Sequence, residues 1–341
     1  MTDTTLPLVT IAIPTYNRAN GYLRNAIECA LKQTYQNIEV VISDNCSSDN
    51  TEEIVKGYAD PRVRYFRQSA NIGANNNFNF CLAKAEGSYF LLFHDDDSID
   101  ADFIDVCMRA ADYNLDVGII RTGTRIIDSE GKVIGACPNT AFGFTTDDLF
   151  RGWFSNKTTF YLCSTLFNTK RLREIGGFKS KHNLFQDVMA ELQLAAKLGR
   201  IDVADNKASF RTHPGEITYS VRVGQWCEDS LMLLDLMCDL ASKENRNLIR
   251  KEGMRFFSKL NYRRASAVKA PIKRLISYLI VFQSFSYRYL PSAHHFLSPV
   301  YNILYDTPIY YGLRSIKRRM RGCKGGQQYE QKNKSKEFRN N

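Results

Sequence analysis

The first hundred residues alternate between apolar, β-branched runs and segments with helical periodicity. Residues 9–17 and 38–45 are almost continuously apolar, which is typical of strands buried on both faces of a parallel sheet. Between them, Leu23, Ile27 and Leu31 repeat every four residues and indicate one stripe of an amphipathic helix. This alternation restricts the chain to the α/β class.

Two further strands continue the pattern, at residues 63–68 and 89–93. A helix is predicted to start at Asp49, with Glu52 three positions later as a capping-box partner, and residues 77–85 lead into the fourth strand. The order β-α-β-α-β-α-β predicts right-handed crossovers and a doubly wound, mostly parallel sheet.

Polar residues stand where each predicted strand ends. They are Thr15, Tyr16 and Asn17 after the first strand, Asp44 and Asn45 after the second, Asn71 and Gly73 after the third, and Asp95, Asp96 and Asp97 after the fourth. In such sheets ligands bind outside the carboxyl ends of the strands, so a binding site is expected at this edge. The glycine motifs of dinucleotide folds and P-loops are absent from the sequence.

The three consecutive aspartates have two interpretations. A solvated acidic turn keeps three repelling charges hydrated, whereas a divalent cation would neutralise them. Carboxylates combined with substrate phosphates are the oxygen ligands that Mg²⁺ and Mn²⁺ prefer. The residues alone leave both interpretations open.

Four ordered blocks carry a resemblance to a known family. The segments "IAIPTYNR", "AIECALKQTYQNIEVVISDNCSSDNT", "NIG" and "AEGSYFLLFHDDD" resemble successive blocks of family 2 inverting glycosyltransferases with the GT-A fold. The resemblance covers roughly residues 7–220. It implies a Rossmann-like, mostly parallel central sheet with flanking helices, and transfer of a sugar from a nucleotide-diphosphate donor to an acceptor hydroxyl.

The resemblance also implies roles for the strand-end residues. The implied nucleotide-sugar contacts are Thr15, Tyr16, Asn17, Asp44, Asn45, Asn71, Gly73, Asp95 and Asp96, and the implied ligands of Mn²⁺ or Mg²⁺ are Asp96, Asp97 and His213. Asp95 would lie beside the ribose, while Tyr16 either stacks on the base or is ordinary packing. His213 is either a ligand or the partner in a structural hydrogen bond.

Two positions near the donor depart from the family pattern. Many members have an aspartate where this chain has His94, which is expected to be a core histidine or to lie behind the ligands. An aspartate that accepts from the base is also common where this chain has Asn45. An amide both donates and accepts, so the base stays open.

The acceptor side is expected after residue 116. Gly176, Gly177 and Phe178 resemble the family's turn before a helix that opens with an acidic residue, which here is Asp187. The resemblance makes Asp187 the general base that takes the proton of the acceptor hydroxyl. Alternatively, Asp187 only provides a negative charge that stabilises the N-terminus of the helix. Family members commonly have an acidic pair here, and Gln186 replaces its first member.

The positive charge is concentrated towards the C-terminus. Residues 241–341 contain 22 Lys and Arg and 5 Asp and Glu, whereas residues 1–240 contain 24 and 31. A catalytic domain is predicted at 1–224, with a nucleotide-sugar half at about 7–115 and an acceptor half at about 116–224. A helical, basic region is predicted to follow at 225–322. Residues 323–341 are predicted to be a disordered polar tail.

The basic region has two interpretations of similar weight. It either packs on the catalytic domain or lies on an anionic membrane surface, and nucleic-acid binding is not expected because no known module accompanies the charge. The nine scattered cysteines favour reduced thiols in a cytosol. Neither a signal peptide nor a membrane span is predicted, so a cytoplasmic or peripheral location at the inner membrane face is expected.

The expected setting is surface polysaccharide assembly, with a glycan or lipid-linked acceptor. Two other functions remain open: a sugar nucleotidyltransferase and a non-catalytic module that binds nucleotides or carbohydrates. The first would need a glycine-rich phosphate loop after the first strand, where this chain has "PTYNRANG". The second is disfavoured because the aspartates, Asp187 and His213 occur together.

Overall fold

The computed structural model describes residues 6–19, 21–141, 143–213 and 221–290. The chain divides into two compact units, one ending at Phe257 and the other beginning at Ser258. The first unit contains the strands described below. Residues 291–322 of the predicted helical, basic region and the predicted tail at 323–341 lie outside the described residues.

The described part alternates strands and helices from its start. The strands are β1 (Val9–Thr15), β2 (Ile38–Asp44), β3 (Val63–Arg67), β4 (Tyr89–Leu92), β5 (Ser98–Ile99), β6 (Ile119–Ile127), β7 (Val133–Cys137), β8 (Thr165–Asn168) and β9 (Arg200–Arg211). The helices are α1 (Leu23–Leu31), α2 (Thr51–Lys56), α3 (Ala74–Lys84), α4 (Phe103–Ala110), α5 (Thr146–Phe154), α6 (Thr169–Glu174), α7 (Gln186–Leu198), α8 (Val223–Leu240), α9 (Arg246–Ser266) and α10 (Pro271–Ser284).

The first four long strands form the parallel half of the sheet. Their order is β3-β2-β1-β4, and every residue of β1, β2 and β4 is buried. Helices α1 and α3 pack against β1 and β2. The predicted β-α-β-α-β-α-β order is therefore confirmed, and the carboxyl ends of these strands share one edge.

The second half of the sheet is mixed. Strand β8 lies between β4 and β6 and runs antiparallel to both, whereas β9 pairs in parallel with β6 and brings Arg211 beside Ile127. Strand β5, which follows the aspartates, pairs antiparallel with β9. As a result, the end of β9 reaches the edge where β4 ends.

The predicted start of α2 is wrong. The helix begins at Thr51, and no side chain caps it. The carboxylate of Asp49 instead accepts hydrogen bonds from the backbone N–H groups of Ala19 (2.9 Å) and Thr51 (3.1 Å), while Glu52 pairs with Arg67 at 2.7 Å. The Asp49 carboxylate therefore bonds to the loop after β1 and does not form the capping box.

The first compact unit extends beyond residue 224, to Phe257. The end of the catalytic domain at residue 224 stays a prediction. Helix α8 packs against α7, which carries Asp187. The second unit contains α10, whose Ser277, Tyr278 and Val281 are buried. None of the described helices is long and apolar enough to span a lipid bilayer.

Candidate active site

Asp95, the first of the three aspartates, is held by the end of β1. The hydroxyl of Thr15 donates to Asp95 Oδ2 at 2.6 Å, and the guanidinium of Arg18 lies 3.8 Å from Asp95 Oδ1. Burial raises the pKa of Asp95 to about 7, against the lowering effect of Thr15. Two predicted nucleotide-sugar contacts, Thr15 and Asp95, are therefore direct neighbours.

Asp96 and Asp97 are joined to the end of β9. The Nε2 atom of His213 lies 2.9 Å from Asp96 Oδ2, and the backbone N–H of Arg211 donates to Asp97 Oδ1 at 3.0 Å. The guanidinium of Arg211 donates to the backbone carbonyl of Asp96 at 2.7 Å. Burial, reinforced by the neighbouring Asp96 charge, raises the pKa of Asp97. The predicted association of His213 with the aspartates is thus present as a direct contact.

A cation would fit this cluster. Ligand atoms of His94, Asp96 and Asp97 all lie within 4.8 Å of one another. His94 Nε2 is buried without a hydrogen-bond partner in the described structure, and burial lowers the His94 pKa, which favours the neutral imidazole that binds metals. Two carboxylates and an imidazole suit Mn²⁺. His94, which the sequence predicts to be a core histidine or to lie behind the ligands, therefore lies where it could itself be a ligand.

Asp44 and Asn17 organise the turn after β2. Asp44 is fully buried and accepts hydrogen bonds from the Tyr65 hydroxyl (2.6 Å) and the Ser47 backbone N–H (2.8 Å). Asn17 accepts from the Ser48 backbone N–H at 2.8 Å. These bonds hold the strand ends together, and contact of Asp44 and Asn17 with a nucleotide stays a prediction.

Asn45 is turned towards the loop after β3. Its Nδ2 donates to Asn71 Oδ1 at 2.9 Å, and its Oδ1 accepts from the Ile72 backbone N–H at 2.9 Å. Asn71 Oδ1 also accepts from the Gly73 backbone N–H, and Gly73 has a φ of 82°, which glycine adopts without strain. Asn45, Asn71 and Gly73 thus form one bonded group, and Tyr16, which follows β1, is exposed.

Asp187 lies in the first turn of α7 and is half-buried. Desolvation raises its pKa to about 6, opposed by the backbone N–H of Val188. Asp187 is on α7, whereas the three aspartates follow β4, so the two predicted halves of the site are carried by separate elements. A carboxylate of this pKa is ionised at neutral pH and is a stronger base than an exposed aspartate.

The loop that leads into α7 is fixed by a buried acid on α8. Asp229 is fully buried and accepts hydrogen bonds from the Ser180 hydroxyl (2.8 Å) and the backbone N–H groups of His182 (3.0 Å) and Leu184 (3.2 Å). Helix α8 therefore sets the path of the chain just before Asp187.

Replacing this anchor should lower stability. In Asp229→Ala, the N–H groups of His182 and Leu184 lose their acceptor, so we expect the free energy of unfolding to fall by about 2–4 kcal/mol. Urea denaturation measures the change. Asp235→Ala on the same helix, where the carboxylate is exposed, is the control and should change it by less than about 1 kcal/mol. Equal losses in the two variants would contradict the anchoring role.

A family profile matches the part of the chain that contains the three aspartates. The profile of glycosyl transferase family 2 covers residues 10–175, which include β1 to β4 and β8. Residues 10–175 are a family 2 glycosyltransferase domain. The domain is similar to an uncharacterized glycosyltransferase of Rickettsia felis, 34% identical over 191 residues that make up 53% of this chain and 30% of the relative.

A second relative of the glycosyltransferase domain is chondroitin synthase of Escherichia coli, 35% identical over 131 residues, or 38% of this chain and 19% of the relative. The chain thus spans less than a third of the length of these curated relatives.

Solved structures show the same fold. S. aureus TarS residues 1–349 in complex with UDP-GlcNAc has a TM-score of 0.65 at 17% identity, covering 82% of each chain. The Pyrobaculum calidifontis mannosyltransferase PcManGT in complex with GDP-Man and Mn²⁺ has a TM-score of 0.53 at 15% identity, covering 89% of this chain and 82% of that one. The predicted GT-A fold is confirmed.

Three side chains at or near the candidate site are not predicted from the sequence: Arg18, Arg211 and Asp229. Arg18 directly follows the first strand-end cluster, and Arg211 stands two residues before His213, so the sequence offered a signal for both. Asp229 lies beyond the region of resemblance and offered none.

Proposed function

We propose that the protein is a metal-dependent inverting glycosyltransferase that moves a sugar from a nucleotide-diphosphate donor to an acceptor hydroxyl. The observation that carries the proposal is the presence of two kinds of carboxylate in the first compact unit. One is the cation-fitting cluster after β4, and the other is the half-buried Asp187, whose pKa is raised to about 6.

The reaction needs one base and one way to hold the leaving group. Asp187 takes the proton of the acceptor hydroxyl while the oxygen of that hydroxyl bonds to the anomeric carbon of the donor sugar. The bond from that carbon to the diphosphate breaks with its electron pair on the diphosphate. The carbon is attacked opposite the leaving group, so its configuration inverts.

The three aspartates and their neighbours would hold the donor's diphosphate. Asp96 and Asp97, with His94 or His213, would hold the divalent cation, which when bound neutralises charge on the leaving diphosphate. Arg18 lies 4.0 Å from Asp96 and adds a positive charge at the same place. Thr15 fixes Asp95 where the ribose is expected.

The donor's base and sugar can be found by thermal shift. Structural neighbours contain UDP-GlcNAc and GDP-Man, which supports a nucleotide-sugar donor and leaves the base open, as does Asn45. A nucleotide-sugar at a hundred times its Kd stabilises a protein by about 2.7 kcal/mol. The correct nucleotide-sugar should raise the Tm of the protein in the presence of Mn²⁺ or Mg²⁺. The protein should also hydrolyse it slowly, with release of free sugar. No shift with any nucleotide-sugar would contradict the proposal.

The proposed setting is polysaccharide assembly at the cytoplasmic face of a membrane, with a glycan or lipid-linked acceptor. The similarity to a chondroitin synthase supports a glycan product. The membrane contact is supported by α10, which exposes Ile272, Leu275, Ile276 and Leu279 at helical spacing. Lys273 and Arg274 lie on the same helix, and basic residues beside an apolar stripe favour anionic lipid.

Polar substitutions on α10 should release the protein from lipid. Each leucine transferred from water contributes about 1.5–3 kcal/mol, so Leu275→Ser with Leu279→Ser should reduce flotation with phosphatidylglycerol vesicles at least about tenfold. The control is Val133→Ser with Ile134→Ser, which changes two exposed residues of β7. Unaltered protein that stays off the vesicles at low salt would contradict the membrane proposal.

A further inference from the structure

Helix α7 carries a second acid one turn after Asp187. Glu191 follows it by four residues, a spacing that places two side chains on the same helix face with Cβ atoms about 5–6 Å apart. Glu191 is 0% exposed. An acid in this position bears directly on the proton affinity of its neighbour.

Glu191 lies in a buried charged group formed by three elements. Arg121 on β6, itself 1% exposed, has its Nε 3.9 Å from Glu191 Oε2 and 3.6 Å from Asp202 Oδ1 on β9. The same guanidinium donates to Asn139 Oδ1 at 2.8 Å. Arg121 is therefore shared, and Asp202 is its closer carboxylate.

The oxygens of Glu191 receive little compensation from hydrogen bonds. Within the described structure neither carboxylate oxygen has a hydrogen-bond partner. Thr165 on β8 faces Glu191, but its hydroxyl donates to the Tyr161 carbonyl at 3.2 Å. A buried ionised carboxylate without such partners is costly, so this environment favours the protonated form.

The electrostatics agree with that geometry. Burial raises the pKa of Glu191 to about 8; Arg121 and the nearby Thr165 hydroxyl oppose the shift, and Asp187 and Asp202 add to it. The pKa of Asp187 is raised only to about 6. Near pH 7 we therefore expect Asp187 to be ionised and Glu191 to keep its proton.

We propose that Glu191 is a positioning residue that sets the proton affinity of Asp187 from one helical turn away. The proposal rests on the proposed function, in which Asp187 is the base. With Glu191 neutral, Asp187 is the only negative charge of the pair. When Glu191 ionises, the repulsion between the two carboxylates makes Asp187 a stronger base.

The first test measures Glu191 without any enzyme assay. An acid whose pKa is raised in the folded protein binds its proton more tightly when folded, so its contribution to stability falls between the unfolded and folded pKa values. The Tm of the unaltered protein relative to Glu191→Gln should therefore decrease from pH 5 to about pH 8 and change no further above that. Glu53→Gln, at an exposed glutamate of α2, is the control and should show no such trend. A constant difference for Glu191→Gln would overturn the proposal.

The second test links Glu191 to the base. The kcat of the unaltered protein should rise as Asp187 ionises near pH 6 and again, by about two- to tenfold, near pH 8. Glu191→Gln should keep the first rise and lose the second. In Asp202→Asn, Glu191 is the remaining carboxylate beside Arg121. The Arg121 charge then favours ionisation of Glu191 more strongly, so the second rise in kcat should move to lower pH.

The outcomes separate the two proposals. If Glu191 titrates near pH 8 but the kcat profiles of the unaltered protein and Glu191→Gln coincide, the positioning role is overturned and the proposed function stands. If the unaltered protein transfers no sugar while the Tm trend is present, the proposed function fails and the role of Glu191 fails with it.

Discussion

Asp187→Asn should bind the nucleotide-sugar donor almost as tightly as the unaltered protein and lose turnover by about two to four orders of magnitude. The amide keeps the shape of the carboxylate but cannot take the proton of the acceptor hydroxyl. Because burial raises the pKa of Asp187 to about 6, the kcat of the unaltered protein should also fall as the pH drops below 6. Steady-state transfer and donor binding, measured on the same preparation, check both statements.

Asp116→Asn is the matched control for this experiment, since Asp116 is an exposed aspartate before β6. It should leave kcat and donor affinity unchanged. Loss of donor affinity in Asp187→Asn equal to its loss of rate would mean that Asp187 organises the site and that another group is the base.

Asp96→Asn should abolish metal-dependent donor binding. Asp96 is the carboxylate shared by the cation-fitting cluster and by His213, so the substitution removes a ligand charge and weakens the link to the end of β9. Donor affinity in Mn²⁺ should fall by at least about a hundredfold, while the fold persists because one charge fewer also relieves repulsion. Isothermal titration with donor and Mn²⁺ measures the effect.

Asp112→Asn, at an exposed position after α4, is the control for this variant. Circular dichroism should show the same secondary structure in both variants and the unaltered protein. If Asp96→Asn binds Mn²⁺ and donor as before, Asp96 is not a ligand and the cation is held elsewhere.

The donor half of the site was readable because its strands are local and continuous. A strand buried on both faces of a parallel sheet must be apolar at almost every residue, so β1, β2 and β4 stand out in the sequence. Polar side chains after such strands meet at one edge. This is why Thr15 and Asp95, eighty residues apart, are correctly predicted as neighbours.

The capping box at Asp49 failed for the opposite reason. Local sequence offered an acid three residues before Glu52, but Asp49 bonds to Ala19, thirty residues away. A local sequence pattern indicates which hydrogen bonds a side chain can make. Which of the possible partners it bonds to depends on the groups that the tertiary fold brings near it.

The sequence by itself determined the α/β class, the alternation of the first four strands with helices along the chain and the position of the acidic cluster, because these follow from short-range periodicity and strand ends. Only the tertiary structure decided that β9 returns to bring Arg211 and His213 to the aspartates, and that Asp229 fixes the loop before α7. It also placed Glu191 beside Arg121. These arrangements depend on long-range packing and on the exclusion of water, which decide both the neighbours of a carboxylate and how much its pKa is raised.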